Sequence, residues 1–348
     1  MPVLKGVGMP GEGDRRALRF PHAEIPLGGT EDWGAAFCPW FAPLIEISTE
    51  TAVASGVETV KVAVFDRQGH GRRVGVMDGD ELVDLTTWAG PLGCCPLASF
   101  LARADVAVPP LDGDRVPIED VTLLPPSVGS KAPLCVGLNY AEHGAEAGGR
   151  QGTSAQPALF SRYWPSLVGH GSPIVRPRAS EQLDFEGELV VVIGKHCRAV
   201  PRAKALAVVA GYTIGQEGSV RDWQRRAPTP VAGKNFAQTG AMGPWLVTAD
   251  EVPDPADLRI ITSVNGEIQQ DGATATMIWD VPALVEHVSA FLPLSPGDTL
   301  FTGTPAGTFS DRGKQRWLTA GDVVAVEIPG IGRLQNHIVD EPQTARPY

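Results

Sequence analysis

Leu183-Asp-Phe-Glu-Gly-Glu-Leu-Val-Val-Val-Ile193 sets two glutamates, Glu186 and Glu188, at the head of a short β-branched apolar run. Such a run reads as a strand, and Gly194 ends it. Strand side chains alternate between faces, so Glu186, Glu188, Val190 and Val192 share one side. The two carboxylates then stand about 7 Å apart on a face that becomes wholly apolar. Like charges in such a place are costly unless a cation lies between them. A hard divalent ion that takes oxygen ligands meets the cost: Mg²⁺ or Mn²⁺, with Ca²⁺ as a further candidate. The alternative is a solvent-facing strand end with two surface glutamates, since charged residues are mostly exposed.

A second stretch strengthens the metal reading. Gly211-Tyr-Thr-Ile-Gly-Gln-Glu217-Gly-Ser-Val-Arg-Asp-Trp223 follows an amphipathic segment at residues 202–210. It predicts a strand over residues 212–215 that runs into a polar turn with Glu217 at its mouth. A third carboxylate at a strand-end turn suits an octahedral site that keeps some waters. Three carboxylates without a neighbouring histidine or cysteine argue against zinc and copper.

These stretches also carry a resemblance. Asp184-Phe-Glu-Gly-Glu-Leu-Val-Val-Val-Ile-Gly-Lys195, Gly211-Tyr-Thr-Ile, Ser219-Val-Arg-Asp222, Gly233-Lys-Asn-Phe236 and Thr302-Gly-Thr-Pro-Ala-Gly307 resemble the fumarylacetoacetate hydrolase family, and so does Val136-Gly-Leu-Asn-Tyr-Ala-Glu-His143. The match runs in order from about residue 133 to residue 339, which no single motif would do. It implies a mixed α/β, β-rich fold with a β-roll core (a mixed β-sandwich roll) and a small N-terminal α+β domain. It also implies a divalent metal on a Glu-x-Glu pair plus a downstream Asp, and action on 2-oxo acids and related dicarbonyl compounds. Glu186 and Glu188 match the pair. Glu217 falls where the family usually has the Asp of an Asn-Asp dipeptide, which lengthens the third ligand by one methylene. A homodimer is implied in the same way.

Composition agrees with such an enzyme and excludes other classes. The 348 residues suffice for a sizeable core and a smaller appended unit. A net charge of −11 argues against nucleic acid, whose phosphates need clustered Lys and Arg. No apolar stretch is long enough to span a bilayer, so no membrane partner is expected. Five cysteines without Cys-x-x-Cys spacing read as reduced thiols, and the N-terminus lacks a secretory pattern, so the expected compartment is the cytoplasm.

Punctuation divides the chain into three parts. Residues 1–57 are rich in Gly and Pro yet carry Trp33, Phe37, Trp40 and Phe41. They read as an extension or arm that packs on the body or a partner, or as an overextended translation start. Residues 58–125 form a small β-rich domain, with short alternating runs at 60–65, 72–77 and 81–85 and a helix at 97–104. Pro109, Pro110, Pro125 and Pro126 mark the passage into a catalytic domain at residues 126–348.

The remaining candidates surround the carboxylates. His143 and Glu146 follow the predicted strand at 134–137, and in a helix these i and i+3 positions share a face. The glycines at 148, 149 and 152 would let the segment move as a lid. The resemblance makes His143 and Glu146 an acid/base dyad; a surface pair is the plainer alternative. It makes Lys234 a candidate for holding a substrate oxyanion or carboxylate. Arg221 and Asp222 are expected to form an ion pair around the metal loop, with Arg221 also a candidate contact for a substrate carboxylate and Gln224 a weaker one. Arg162 stands where the family often has lysine, and is a substrate-binding candidate of altered geometry. Thr304 lies in a tight strand-end turn whose hydroxyl and NH groups could hold a carboxylate.

Together these parts predict a metal-dependent hydrolase that cleaves a C–C bond in an acylpyruvate through a stabilised enolate. Decarboxylation or isomerisation/hydration by the same enolate, and a catalytically silent ligand-binding protein, are the alternatives.

Overall fold

The computed structural model describes residues 60–140 apart from 68, 70, 105–108 and 110, and residues 156–343 apart from 313–315. The expected N-terminal arm, His143 and Glu146 lie outside the described residues. Among the described residues the protein is β-rich, with two large sheets and few helices.

The run that decides the fold breaks into two strands where a single one was expected. Leu183–Asp184 pairs with Ser219–Val220, while Gly187–Ile193 pairs antiparallel with Val209–Gln216 on one side and Thr299–Phe301 on the other. Across the break, ladder bonds give way to local ones. Glu217 N donates to Glu186 O at 2.8 Å, and Gly187 N donates to Gln270 Oε1 at 3.0 Å. The chain bends where the carboxylates cluster, which satisfies the freed backbone groups with the residues that build the site.

Alternation then sorts the core. Leu189, Val191, Tyr212 and Ile214 face Val264, Val324, Val326 and Leu334 of the five-stranded sheet in the largest apolar cluster. On the other face, Val190 packs with Cys135, Phe160, Met242 and Phe301. Val192 meets Val62, Val64, Leu97 and Phe100. The shared face of Glu188, Val190 and Val192 is therefore polar at its head and apolar beyond, as the alternation predicts.

The large sheet crosses the expected passage at residue 125. Lys61–Asp66 pairs antiparallel with Gly240–Thr248, which in turn pairs with Val209–Gln216. The expected helix at 97–104 is found at Pro96–Ala104 with Leu97 and Phe100 buried. The strand expected at 212–215 extends over Val209–Gln216 and is preceded by a 3₁₀ helix at Arg202–Val208. Among the described residues no helix is long and apolar enough to cross a membrane.

Gly187 sits where the sheets approach most tightly. A Cβ there would lie 2.1 Å from Thr262 Oγ1 and 3.0 Å from Val326 Cγ1. Only a residue without a side chain lets the strand that carries Glu188 lie this close to the second sheet. Gly187→Ala should lower stability by about 1–3 kcal/mol, the range for overpacking a tight core. Chemical denaturation would read this as a lower midpoint with an unchanged slope.

Candidate metal centre

The strand break and the turn after Gln216 bring three glutamates together. Carboxylate oxygens of Glu186, Glu188 and Glu217 lie within 4.8 Å of one another, and all three residues are buried. Glu186 Oε1 meets Arg221 Nη1 at 2.5 Å and accepts from Ser219 Oγ at 3.1 Å. Lys234 Nζ bridges Glu186 Oε2 at 2.5 Å and Glu217 Oε2 at 2.6 Å. Glu188 Oε2 accepts from Gly303 N at 2.7 Å. Glu217 Oε1 is buried without a hydrogen-bond partner.

A fourth carboxylate lies just behind. Asp184, fully buried, takes Arg221 Nε at 2.8 Å and the backbone NH groups of Phe309 and Ser310 at 3.1 and 3.0 Å. Arg221 thus links Asp184 to Glu186, and its Nη1 also donates to Gln224 at 3.0 Å. The expected Arg221–Asp222 ion pair is not formed. Successive side chains on the short helix Arg221–Arg226 diverge, so Asp222 turns to Arg226, four residues on, and to Ser180.

The electrostatics follow from this packing. Burial, and after it the charges of Glu217 and Glu186, hold the Glu188 carboxyl well above the usual range, against the pull of Lys234 and the Gly303 NH. Burial also raises Glu217, against Lys234. Burial alone would lower Lys234, but Glu186 and Glu217 outweigh it, and the ammonium stays charged. Four carboxylates here face two cations in direct contact, Arg221 and Lys234. With all four ionised, two negative charges would be left over, and this, with the Glu217 oxygen that has no hydrogen-bond partner, fits a divalent ion. The all-oxygen donor set suits a hard cation. The Cys135 thiol beside the cluster is pushed well up by burial and by the charges of Glu217 and Glu188.

The other candidates divide. Lys234 belongs to the cluster, and its Nζ also lies 5.3 Å from the Phe160 ring centroid. Gln224 sits at the edge through Arg221. The Thr304 hydroxyl is already engaged, donating to Gly187 O and accepting from Gln270 Nε2, both at 2.8 Å. Arg162 is fully buried, with its donors on Ser166, Gly218 and Thr239. Sequence reasoning gave no role to Asp184 or Gln270. The alternation that selected Glu186 and Glu188 also selects Asp184, two residues earlier. Gln270 carries no such signal, because its partners are 83 and 34 residues away in the chain.

Comparisons with known proteins identify the family. Residues 133–339 match the family Fumarylacetoacetate (FAA) hydrolase C-terminal. The chain belongs to the fumarylacetoacetate hydrolase family. It is 41% identical over 242 residues to Protein Rv2993c of Mycobacterium tuberculosis, covering 70% of this chain and 88% of that protein. It is 37% identical over 272 residues to the mitochondrial oxaloacetate tautomerase Fahd2a of Rattus norvegicus, covering 75% of this chain and 85% of that protein. The structure resembles the fumarylacetoacetate hydrolase of Exiguobacterium antarcticum with a TM-score of 0.71 at 34% identity, covering 81% of this chain and all of that one. The family is one of enzymes that act on small molecules, among them hydrolases, isomerases and tautomerases.

A carboxyl whose pKa rises on folding supports the fold while protonated, and that support is lost as pH rises from its unfolded toward its folded value. Glu188 and Glu217 behave in this way, so the fold loses their support on going from acidic toward neutral pH. Mn²⁺ should therefore raise the thermal midpoint more at neutral than at acidic pH. Glu188→Gln should flatten the dependence, as differential scanning fluorimetry across the pH range would show.

Proposed function

We propose that this protein is a divalent-metal-dependent enzyme that moves a proton between C3 and the carbonyl oxygen of a 2-oxo acid, interconverting its keto and enol forms. The observation that carries the reading is the buried cluster of Glu186, Glu188 and Glu217 with Lys234 held between two of them. A bound Mg²⁺ or Mn²⁺ would polarise the 2-oxo carbonyl and acidify the C3 hydrogens.

The chain's own residues supply the rest. Lys234, held between Glu186 and Glu217, serves as an electrostatic partner for a developing enolate oxygen. Arg221, braced by Asp184, and Gln224 are the proposed contacts for a substrate carboxylate. Burial keeps water from competing for these contacts. His143, oriented by Glu146, is the proposed group that takes and returns the C3 proton. The similarity to the rat tautomerase favours this outcome, and a keto–enol shift asks for no positioned water.

Hydrolytic C–C cleavage of an acylpyruvate is the second reading, favoured by the likeness to the Exiguobacterium hydrolase. It uses the same enolate, with His143 activating water instead. A homodimer working in the cytoplasm completes the proposal.

Two substrates separate the readings. With Mg²⁺ or Mn²⁺, the purified protein should speed the enol-to-keto conversion of a four-carbon 2-oxo diacid, followed by loss of the enol's ultraviolet absorbance. EDTA should abolish this, and His143→Ala should slow it by about 10²–10⁴, the usual contribution of a general base. Release of pyruvate from acylpyruvates without tautomerase activity would select the second reading. Turnover of neither substrate, with metal bound, would leave a ligand-binding protein.

A further inference from the structure

Arg162 is the largest fully buried side chain among the described residues, yet no carboxylate touches its guanidinium in the contacts that fix it. Nη1 donates to Gly218 O at 2.9 Å, Nε to Ser166 Oγ at 3.2 Å, and Nη2 to Thr239 Oγ1 at 3.3 Å and Ser166 O at 3.4 Å. A buried guanidinium satisfied only by neutral oxygens is expensive, so its place needs a reason.

The carbonyl it grips supplies one. Gly218 follows Glu217 directly, and the loop has no slack: a Cβ on Gly218 would lie 1.7 Å from Thr239 O. From the front, Glu217 N is tied to Glu186 O at 2.8 Å, and the Ser219 hydroxyl lies between Glu217 O at 2.9 Å and Glu186 Oε1 at 3.1 Å, with its one proton to share. From behind, Arg162 holds the loop to Thr239 and Ser166. The same segment braces the lysine. Asn235, next to Lys234, donates to Ser161 O at 3.0 Å and accepts from Tyr163 N at 2.7 Å.

We propose that Arg162 is a positioning residue of the metal centre: through Gly218 it fixes the Glu217 carboxylate, and it makes no contact with substrate. The planar fork is what the task needs, since one guanidinium reaches Gly218, Ser166 and Thr239 together and an ammonium cannot. Its charge also favours the ionised form of Glu217.

The inference rests on the proposed metal centre, and its test begins with a Mn²⁺ titration of the wild-type protein followed by electron paramagnetic resonance. Failure of the wild type to take up Mn²⁺ would overturn the metal centre itself. Given uptake, Arg162→Lys should weaken Mn²⁺ binding by about 10- to 100-fold despite the retained charge, the usual effect of losing a partner behind a metal ligand. KM for the oxo acid at saturating Mn²⁺ should stay unchanged. Thr239→Val, which keeps the side-chain shape, should weaken Mn²⁺ binding in the same direction by less, and it decides the matter if Arg162→Lys does not fold. Wild-type Mn²⁺ affinity in the variant that folds would overturn the proposal. So would a raised KM at saturating metal with Mn²⁺ affinity intact, because that marks a substrate contact.

Discussion

Four carboxylates, Asp184, Glu186, Glu188 and Glu217, are buried at one place, and mutual repulsion in a dry interior is the constraint on which this part of the structure depends. Lys234 bridges Glu186 and Glu217, Arg221 bridges Glu186 and Asp184, and the Gly303 NH faces Glu188. Partial compensation is the point. A fully neutralised cluster would have no use for a metal, and an uncompensated one would protonate or unfold. The remaining negative charge is of the size that one divalent ion balances.

The fold serves that cluster by bringing distant segments to it. The strand Gly187–Ile193 lies between Val209–Gln216 and Thr299–Phe301, and each neighbour ends in a turn at the cluster. One turn carries Glu217, and the other presents the NH of Gly303. Gln270, from the second sheet, ties the Gly187 strand to the turn after Gly303 by accepting from Gly187 N and donating to Thr304 Oγ1 and Pro305 O. Because these links join segments far apart in sequence, the geometry of the centre is a property of the whole sandwich of sheets.

That difference in range explains what could be read in advance. Period-two alternation put Glu186, Glu188, Val190 and Val192 on one face; the strand keeps Glu188, Val190 and Val192 so, while Glu186 lies before the strand begins and meets Glu188 through the bend. Glu217 was legible because a carboxylate stood alone at the end of a predicted strand. The break at residues 185–186 was not, since it arises from Glu217 and Gln270 replacing ladder bonds. Arg221 was expected to pair with its neighbour Asp222, but helix geometry sends the two apart and gives Arg221 to Asp184 and Glu186. Arg162 was legible as a charge near the site. Its burial and its hold on Gly218 depend on packing 56 residues away.

The most direct test of the central claim is the anomalous difference map of a crystal soaked with Mn²⁺ and oxalate, a mimic of the 2-oxo carboxylate end of the substrate. The account predicts one strong peak per chain within coordination distance of Glu186, Glu188 and Glu217, with oxalate chelating the ion beside Lys234. A map with no peak among these three carboxylates, or with Mn²⁺ held by other residues, would contradict it.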